Sequence, residues 1–149
     1  MGGGRRAGSI MKLVATRRVA QAIALLRCLA NTDPVGQPMS AEELARATGV
    51  AASTIRQLMQ SLAHAALVSS VAGLHGGYWI TCVPHETSMR VVIEAMEGPI
   101  DPTFCDLSGV ACERRDHCVL HPLWRIVQEG FAKELAGLTL DEVWADLVA

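Results

Sequence analysis

SAEELARATGVAASTIRQLMQSLAHAALVSSVAGLHGGYWITC, Ser40 to Cys82, is the stretch on which the fold of this chain turns. Ser40 and Glu43 have the spacing of a capping box, in which hydroxyl and carboxylate each satisfy an orphan backbone N–H, so a short helix opens there. Gly49 ends it, because glycine takes left-handed backbone at no steric cost. A second helix starts within a few residues, and two helices joined so tightly make a helix-turn-helix. At about 100° per residue, Ile55, Leu58, Met59, Leu62 and Ala66 fall on one face of that second helix. Ser53, Gln57, Gln60 and His64 share a stripe on the other, flanked by Thr54 and Arg56. Short hydrogen-bonding side chains outside an apolar inner face suit a helix lying in a DNA major groove, although an ordinary solvated face has the same pattern. The residues after the second helix tilt the balance toward DNA. VSSVAGLHGGYWITC reads as two short strands, with Gly73, Gly76 and Gly77 supplying the unusual backbone angles of the turn between them. Helix, turn, helix and hairpin is the order of a winged helix, with the hairpin as the wing.

Upstream, Val19, Ile23, Leu26 and Ala30 recur at helical spacing from about Arg17 to Ala30, and Leu25, Cys28 and Leu29 widen the apolar face. That helix is buried on more than one side, and NTDPVGQP breaks it. Residues 1–10 are rich in glycine and arginine with nothing to bury; they read as a disordered extension, an upstream start or an expression scar, with Met11 opening the ordered part. Downstream, SMRVVIEAMEGP is a helix running from a Ser88 cap to a Gly98-Pro99 stop. Pro122 suits the first position of a long final helix striped by Leu123, Ile126, Val127, Phe131 and Leu135. Thr139 and Glu142 then cap a short closing helix containing Trp144. A long striped helix at the end of so small a domain is a natural dimerisation element, and the same stripe would serve to pack it onto its own chain. The organisation expected is therefore a winged-helix DNA-binding domain over 11–83, a connecting helix over 84–98, a cysteine-rich ligand loop over 99–121, and a dimerisation helix with a short closing helix over 122–149.

Composition agrees with a mainly helical fold. Half of the 149 residues are hydrophobic and only 4% aromatic, so the core is built from Ala, Leu, Val, Ile and Met. The formal net charge of −2 makes any DNA-facing surface local rather than global. The chain lacks a signal-peptide core, and its longest apolar run is interrupted by Arg27 and too short to span a bilayer, so it reads as soluble and cytoplasmic.

CDLSGVACERRDHCVLH, Cys105 to His121, places three of the five cysteines in a stretch that otherwise reads as a loop. In a reducing compartment such clustering points to metal or redox chemistry rather than to disulfides. Cys118 and His121 stand about one helical turn apart and can face one point. Three thiolates and an imidazole suit zinc or an iron–sulfur cluster. The short paired spacings usual for structural zinc are absent, and a cluster tolerates longer gaps. A thiol switch is a further use of the same residues. Cys28 and Cys82, in an apolar helix and at a strand end, read as small buried hydrophobes. An enzyme with a loop cysteine as nucleophile is disfavoured, because no oxyanion-hole glycine motif is legible nearby.

MKL at Met11, SAEELARATGV, LVSSVAGLHGGY, VVIEAMEGP, the triple-cysteine segment, HPLW and TLDEVW together resemble the Rrf-type winged-helix regulators, over nearly the whole chain after residue 10. The resemblance implies a homodimer that binds a palindromic operator on double-stranded DNA and responds to an iron–sulfur cluster. Cys105, Cys112 and Cys118 fall on the family's cluster cysteines. His121 occupies the place of the fourth ligand in the IscR-like branch; the NsrR-like branch uses an N-terminal aspartate, where this chain has Arg18. The resemblance therefore implies a [2Fe-2S] rather than a [4Fe-4S] cluster. In a cluster-gated regulator of this kind, Ser53, Thr54, Arg56 and Gln57 are expected to read bases, and Lys12, Arg17, His75, Gly76 and Gly77 to hold phosphates and groove walls. The chain departs from the IscR-like pattern at Ala72 and Arg56, where that branch has arginine and glutamate, and its first cysteine gap is one residue longer.

Overall fold

The computed structural model describes residues 16–32, 34–101, 104–105, 110–111 and 117–147, with the backbone alone for the two short pieces between 104 and 111. Residues 1–10, Lys12 and Cys112 lie outside the described residues.

Three helices build the first layer. Helix α1, Arg17–Ala30, is capped by Thr16, whose hydroxyl accepts from the Val19 N–H and donates to Glu97 Oε1 at 2.6 Å. Helix α2, Ala41–Thr48, opens on the expected capping box, with the Ser40 N–H donating to Glu43 Oε2 at 2.8 Å. It closes on Gly49 in the left-handed region. Helix α3, Ala52–His64, follows after a turn of three residues. Leu25, Leu26 and Leu29 of α1, Leu44 of α2, and Ile55, Leu58, Met59 and Leu62 of α3 meet in one core with at most 1% of any of them exposed. Burying each such side chain is worth roughly 1.5–3 kcal/mol, which fixes how each helix is rolled about its axis.

Ala66 does not share the inner face of α3. The helix ends at His64, and Ala66 is exposed in left-handed backbone at φ 57°. The Ala66 N–H reaches Ala63 O and the Leu67 N–H reaches Leu62 O, both at 3.0 Å. This pair of hydrogen bonds is a Schellman motif, and it turns the chain so that Leu67 takes the buried place.

Strands β1, Val68–Val71, and β2, Gly77–Ile80, pair antiparallel in register Val68↔Ile80 to Val71↔Gly77. A bridge that the sequence reading lacks joins Met39 to Tyr78, with N–H to O distances of 2.9 and 2.8 Å, and ties the entry of α2 to the wing. A 3-10 turn, Pro84–Glu86, leads to α4, Met89–Glu97. Ser88 stands at the N-cap of α4 but makes no side-chain capping bond. Its backbone bridges Thr139 instead, flanked by Met89 N–H to Leu138 O at 2.8 Å and Leu140 N–H to Thr87 O at 2.9 Å. Val92, Ile93 and Met96 carry α4 into the same core as α1 and α3.

Within the cysteine segment the described residues include a short strand pair. Strands β3, Phe104–Cys105, and β4, Val110–Ala111, form an antiparallel pair with Cys105 opposite Val110. Helix α5, His121–Gly137, begins at His121 itself, with Leu120 as N-cap and Pro122 one place further in than expected. Helix α6, Leu140–Asp146, starts at Thr139, whose N–H donates to Glu142 Oε2 at 2.8 Å. Among the described residues no helix is long and apolar enough to cross a membrane.

The stripe on α5 divides in two. Leu135 is buried and Phe131 packs on the core, whereas Leu123 and Ile126 are each 62% exposed and Val127 is exposed as well. Packing on the chain's own core thus accounts for the C-terminal half of the stripe and leaves the N-terminal half uncovered.

Candidate functional site

The roll of α3, set by its four buried residues, turns Ser53, Arg56, Gln57 and Gln60 to solvent and leaves Thr54 half-buried. His64 is also exposed, its Nδ1 2.8 Å from Gln60 O. Ala51, the N-cap, offers no side-chain hydrogen bond, so the first N–H groups of α3 are not capped by a side chain. A helix start of this kind has partial positive charge and free donors, which suit a phosphate oxygen.

The wing stands beside that face. A Cβ on Gly76 would collide with the Val71 carbonyl, and one on Gly77 with the Met39 backbone, so both glycines are required by close approach of backbone to backbone. His75 and Leu74 project from the hairpin tip, Leu74 being 94% exposed. Between the wing, the start of α2 and α3 lies a cleft of about 330 Å³. Arg56, Gly76 and Gly77 all border it. The structure therefore brings the expected base-reading arginine and the wing glycines to one surface. It also adds a residue that sequence reasoning missed: Glu42, from the first turn of α2, forms a hydrogen-bonded ion pair with Arg56 Nη2. No local signal marks this pair, because the partners are fourteen residues apart and meet only when α2 packs on α3. Arg17 is exposed in the first turn of α1 and does not border the cleft.

The second group of expected residues is centred on the start of α5. Cys118 and His121 are both partly exposed, and the His121 N–H donates to Cys118 O at 3.2 Å, closing one turn between them. Cys105 lies in β3, paired antiparallel with β4 and opposite Val110; Cys112 lies outside the described residues. Thiolates and an imidazole are a suitable donor set for an iron–sulfur cluster, and the N-terminal end of α5 favours the negative charge such a site carries.

Cys28 and Cys82 stand apart from this segment. Burial pushes both thiols up from their ordinary value, against which hydrogen bonding to Thr87 acts at Cys82. Both pack against the core as expected of small hydrophobes, with Cys28 Sγ 4.0 Å from Met39 Sδ. A raised thiol is poor in thiolate at neutral pH and is a weak nucleophile or ligand.

A tight helix pair, an outward polar helix with an uncapped start, and a glycine-bound hairpin beside it define a winged-helix regulator of the DNA-binding kind. The chain belongs to the Rrf2 family, described as iron-dependent transcriptional regulators, whose model matches residues 15–146. It is 31% identical over 109 residues to the HTH-type transcriptional regulator IscR of Aliivibrio salmonicida, a match that covers 73% of this chain and 64% of that protein. The IscR of Pectobacterium carotovorum is 31% identical over 106 residues, covering 71% and 64%. The chain thus spans somewhat under two thirds of these relatives' length. Among solved structures, IscR of T. potens has the same fold, with TM-score 0.65 and 23% identity over 91% of this chain and 88% of that one. CymR, the global cysteine regulator of B. subtilis, does too, with TM-score 0.64 and 24% identity over 88% and 95%. These relatives are regulators and not enzymes, in line with the sequence reading.

Proposed function

We propose that the protein is a cytoplasmic, homodimeric, IscR-like regulator whose affinity for a palindromic operator is set by an iron–sulfur cluster, of the [2Fe-2S] type, on Cys105, Cys112, Cys118 and His121. The observation that carries this reading is the single turn closed between Cys118 and His121 at the mouth of α5, with both residues partly exposed. When bound, the cluster supplies one-electron redox chemistry and a lability that tracks iron supply, oxidants or nitric oxide. The chain's own residues do the rest. Ser53, Thr54, Arg56 and Gln57 read base edges from α3. Lys12, Arg17 and the wing at His75, Gly76 and Gly77 hold phosphates and groove walls. The uncovered Leu123, Ile126 and Val127 on α5 form the face between protomers, so the ligand segment and the dimer helix meet at His121. A change at the segment then shifts the population of dimers whose α3 helices are spaced for the operator.

Anaerobic purification followed by iron, sulfide and visible absorption analysis tests this. A coloured protein with equal iron and sulfide is expected, and His121→Ala should lose its cluster faster than the parent. A colourless protein with stoichiometric zinc that accepts no cluster on reconstitution would sink the reading.

A further inference from the structure

The pairing of Glu42 with Arg56 sits at the cleft between α2, α3 and the wing, where base recognition would occur. The two consecutive glutamates of α2 have separate duties. Glu43 caps the helix by bonding back to Ser40, while Glu42, about 100° around the axis, reaches across to α3. Arg56 is the one arginine or lysine on α3. Both side chains of the pair are more than half exposed, at 53% and 62%, and an exposed ion pair of this kind adds little to folding stability. What it does is restrict an otherwise freely rotating side chain. Arg56 has a long flexible stem, and left alone it would sweep the phosphates and base edges alike. Paired at Nη2 with a carboxylate, its guanidinium is biased toward the mouth of the cleft shared with Gly76 and Gly77. A fixed fork suits the two acceptors of a guanine edge, which need bidentate geometry.

We infer that Glu42 is a positioning residue for base readout: it trades affinity for phosphates against selectivity for a guanine by holding Arg56. This rests on the reading of α3 as the DNA-reading helix. A carboxylate on a DNA-facing surface repels the phosphate backbone, so Glu42 lowers binding to any duplex. A residue that only strengthened binding would act in the opposite direction. The combination of weaker general binding with sharper selectivity is the signature of a positioning role.

The test uses the full chain and an operator selected from randomised duplexes. Parent, Glu42→Gln, Arg56→Ala and the double variant are compared on that operator, its single-base-pair variants and a scrambled duplex across a salt series. Glu42→Gln should bind the scrambled duplex about threefold to tenfold more tightly, the size of one like charge removed near phosphates in a largely aqueous setting. It should also lose discrimination at one G·C pair, the same pair at which Arg56→Ala loses it. In the Arg56→Ala background the Glu42 change should raise affinity for all duplexes equally and leave base preference alone. Thermal unfolding of each variant checks that the fold is kept. The inference falls if Glu42→Gln selects bases as the parent does, or if its effect on preference persists without Arg56, which would make Glu42 itself the base reader. If the parent selects no duplex from the pool, the DNA-binding reading fails and this inference fails with it. An operator selected by the parent with Glu42→Gln indistinguishable overturns the inference alone.

Discussion

Ala66 holds left-handed backbone that an L side chain adopts at a cost of roughly 1–2 kcal/mol, and it does so to let Leu67 cap α3 and enter the core. Glycine avoids that cost but loses about 0.5–1 kcal/mol more chain entropy on folding. Ala66→Gly should therefore stabilise the protein by about 0.5–1 kcal/mol. A urea titration monitored by circular dichroism reads this directly, and a midpoint at or below the parent's would contradict it. Periodicity places Ala66 on the inner face because it assumes that the helix continues. The sequence has no glycine there to announce the stop. Arg56 shows the opposite case: its place on the outer face is legible from spacing, while its partner Glu42 depends on how α2 packs on α3.

The two helix starts written as capping boxes match expectation residue for residue, whereas Pro122 stands one place inside α5 and Ser88 makes no capping bond. Both capping boxes form, at Ser40 with Glu43 and at Thr139 with Glu142. Hydrogen bonds from the backbone and side chain of the cap hold the Glu43 and Glu142 carboxyls below their ordinary values, and the Thr139 hydroxyl does the same for Asp141. The sign follows from linkage. A carboxyl lowered in the folded state contributes stability that is present above its unfolded pKa, about 4.3 for glutamate, and is lost as pH falls through the lower folded value. A Glu43→Gln, Glu142→Gln protein keeps neutral caps, so its unfolding midpoint should vary less with pH than the parent's below about pH 4.3. Denaturant midpoints measured from about pH 3 to 7 check this, and parallel curves would count against it. The β3–β4 pair was not legible in the same way, since strands of two residues are too short to show an alternation.

At the scale of the molecule, α5 is anchored at one end and open at the other. Ala132 and Leu135 hold its C-terminal half, and the Ser88–Thr139 bridge fastens the α5–α6 junction to the start of α4. Its N-terminal half presents Leu123 and Ile126 to solvent. If that face joins two protomers, Ile126→Glu should convert a dimer to a monomer in analytical ultracentrifugation, because an unpaired charge buried at an interface costs about 3–5 kcal/mol. Its thermal stability should change little beyond the loss of association, since the side chain is not in the protomer's own core. A variant that stays dimeric would move the interface elsewhere. By itself the sequence determined the helix-turn-helix, the wing and the capped helix starts, because these depend on neighbours within a few residues and on a repeat of the apolar pattern. Only the tertiary structure decided which half of the α5 stripe the core takes, that Met39 pairs with Tyr78, and that Glu42 holds Arg56. Each of these joins residues distant in the chain, and their meeting is set by how the buried faces of α1, α3 and α4 fit together, which no local spacing encodes.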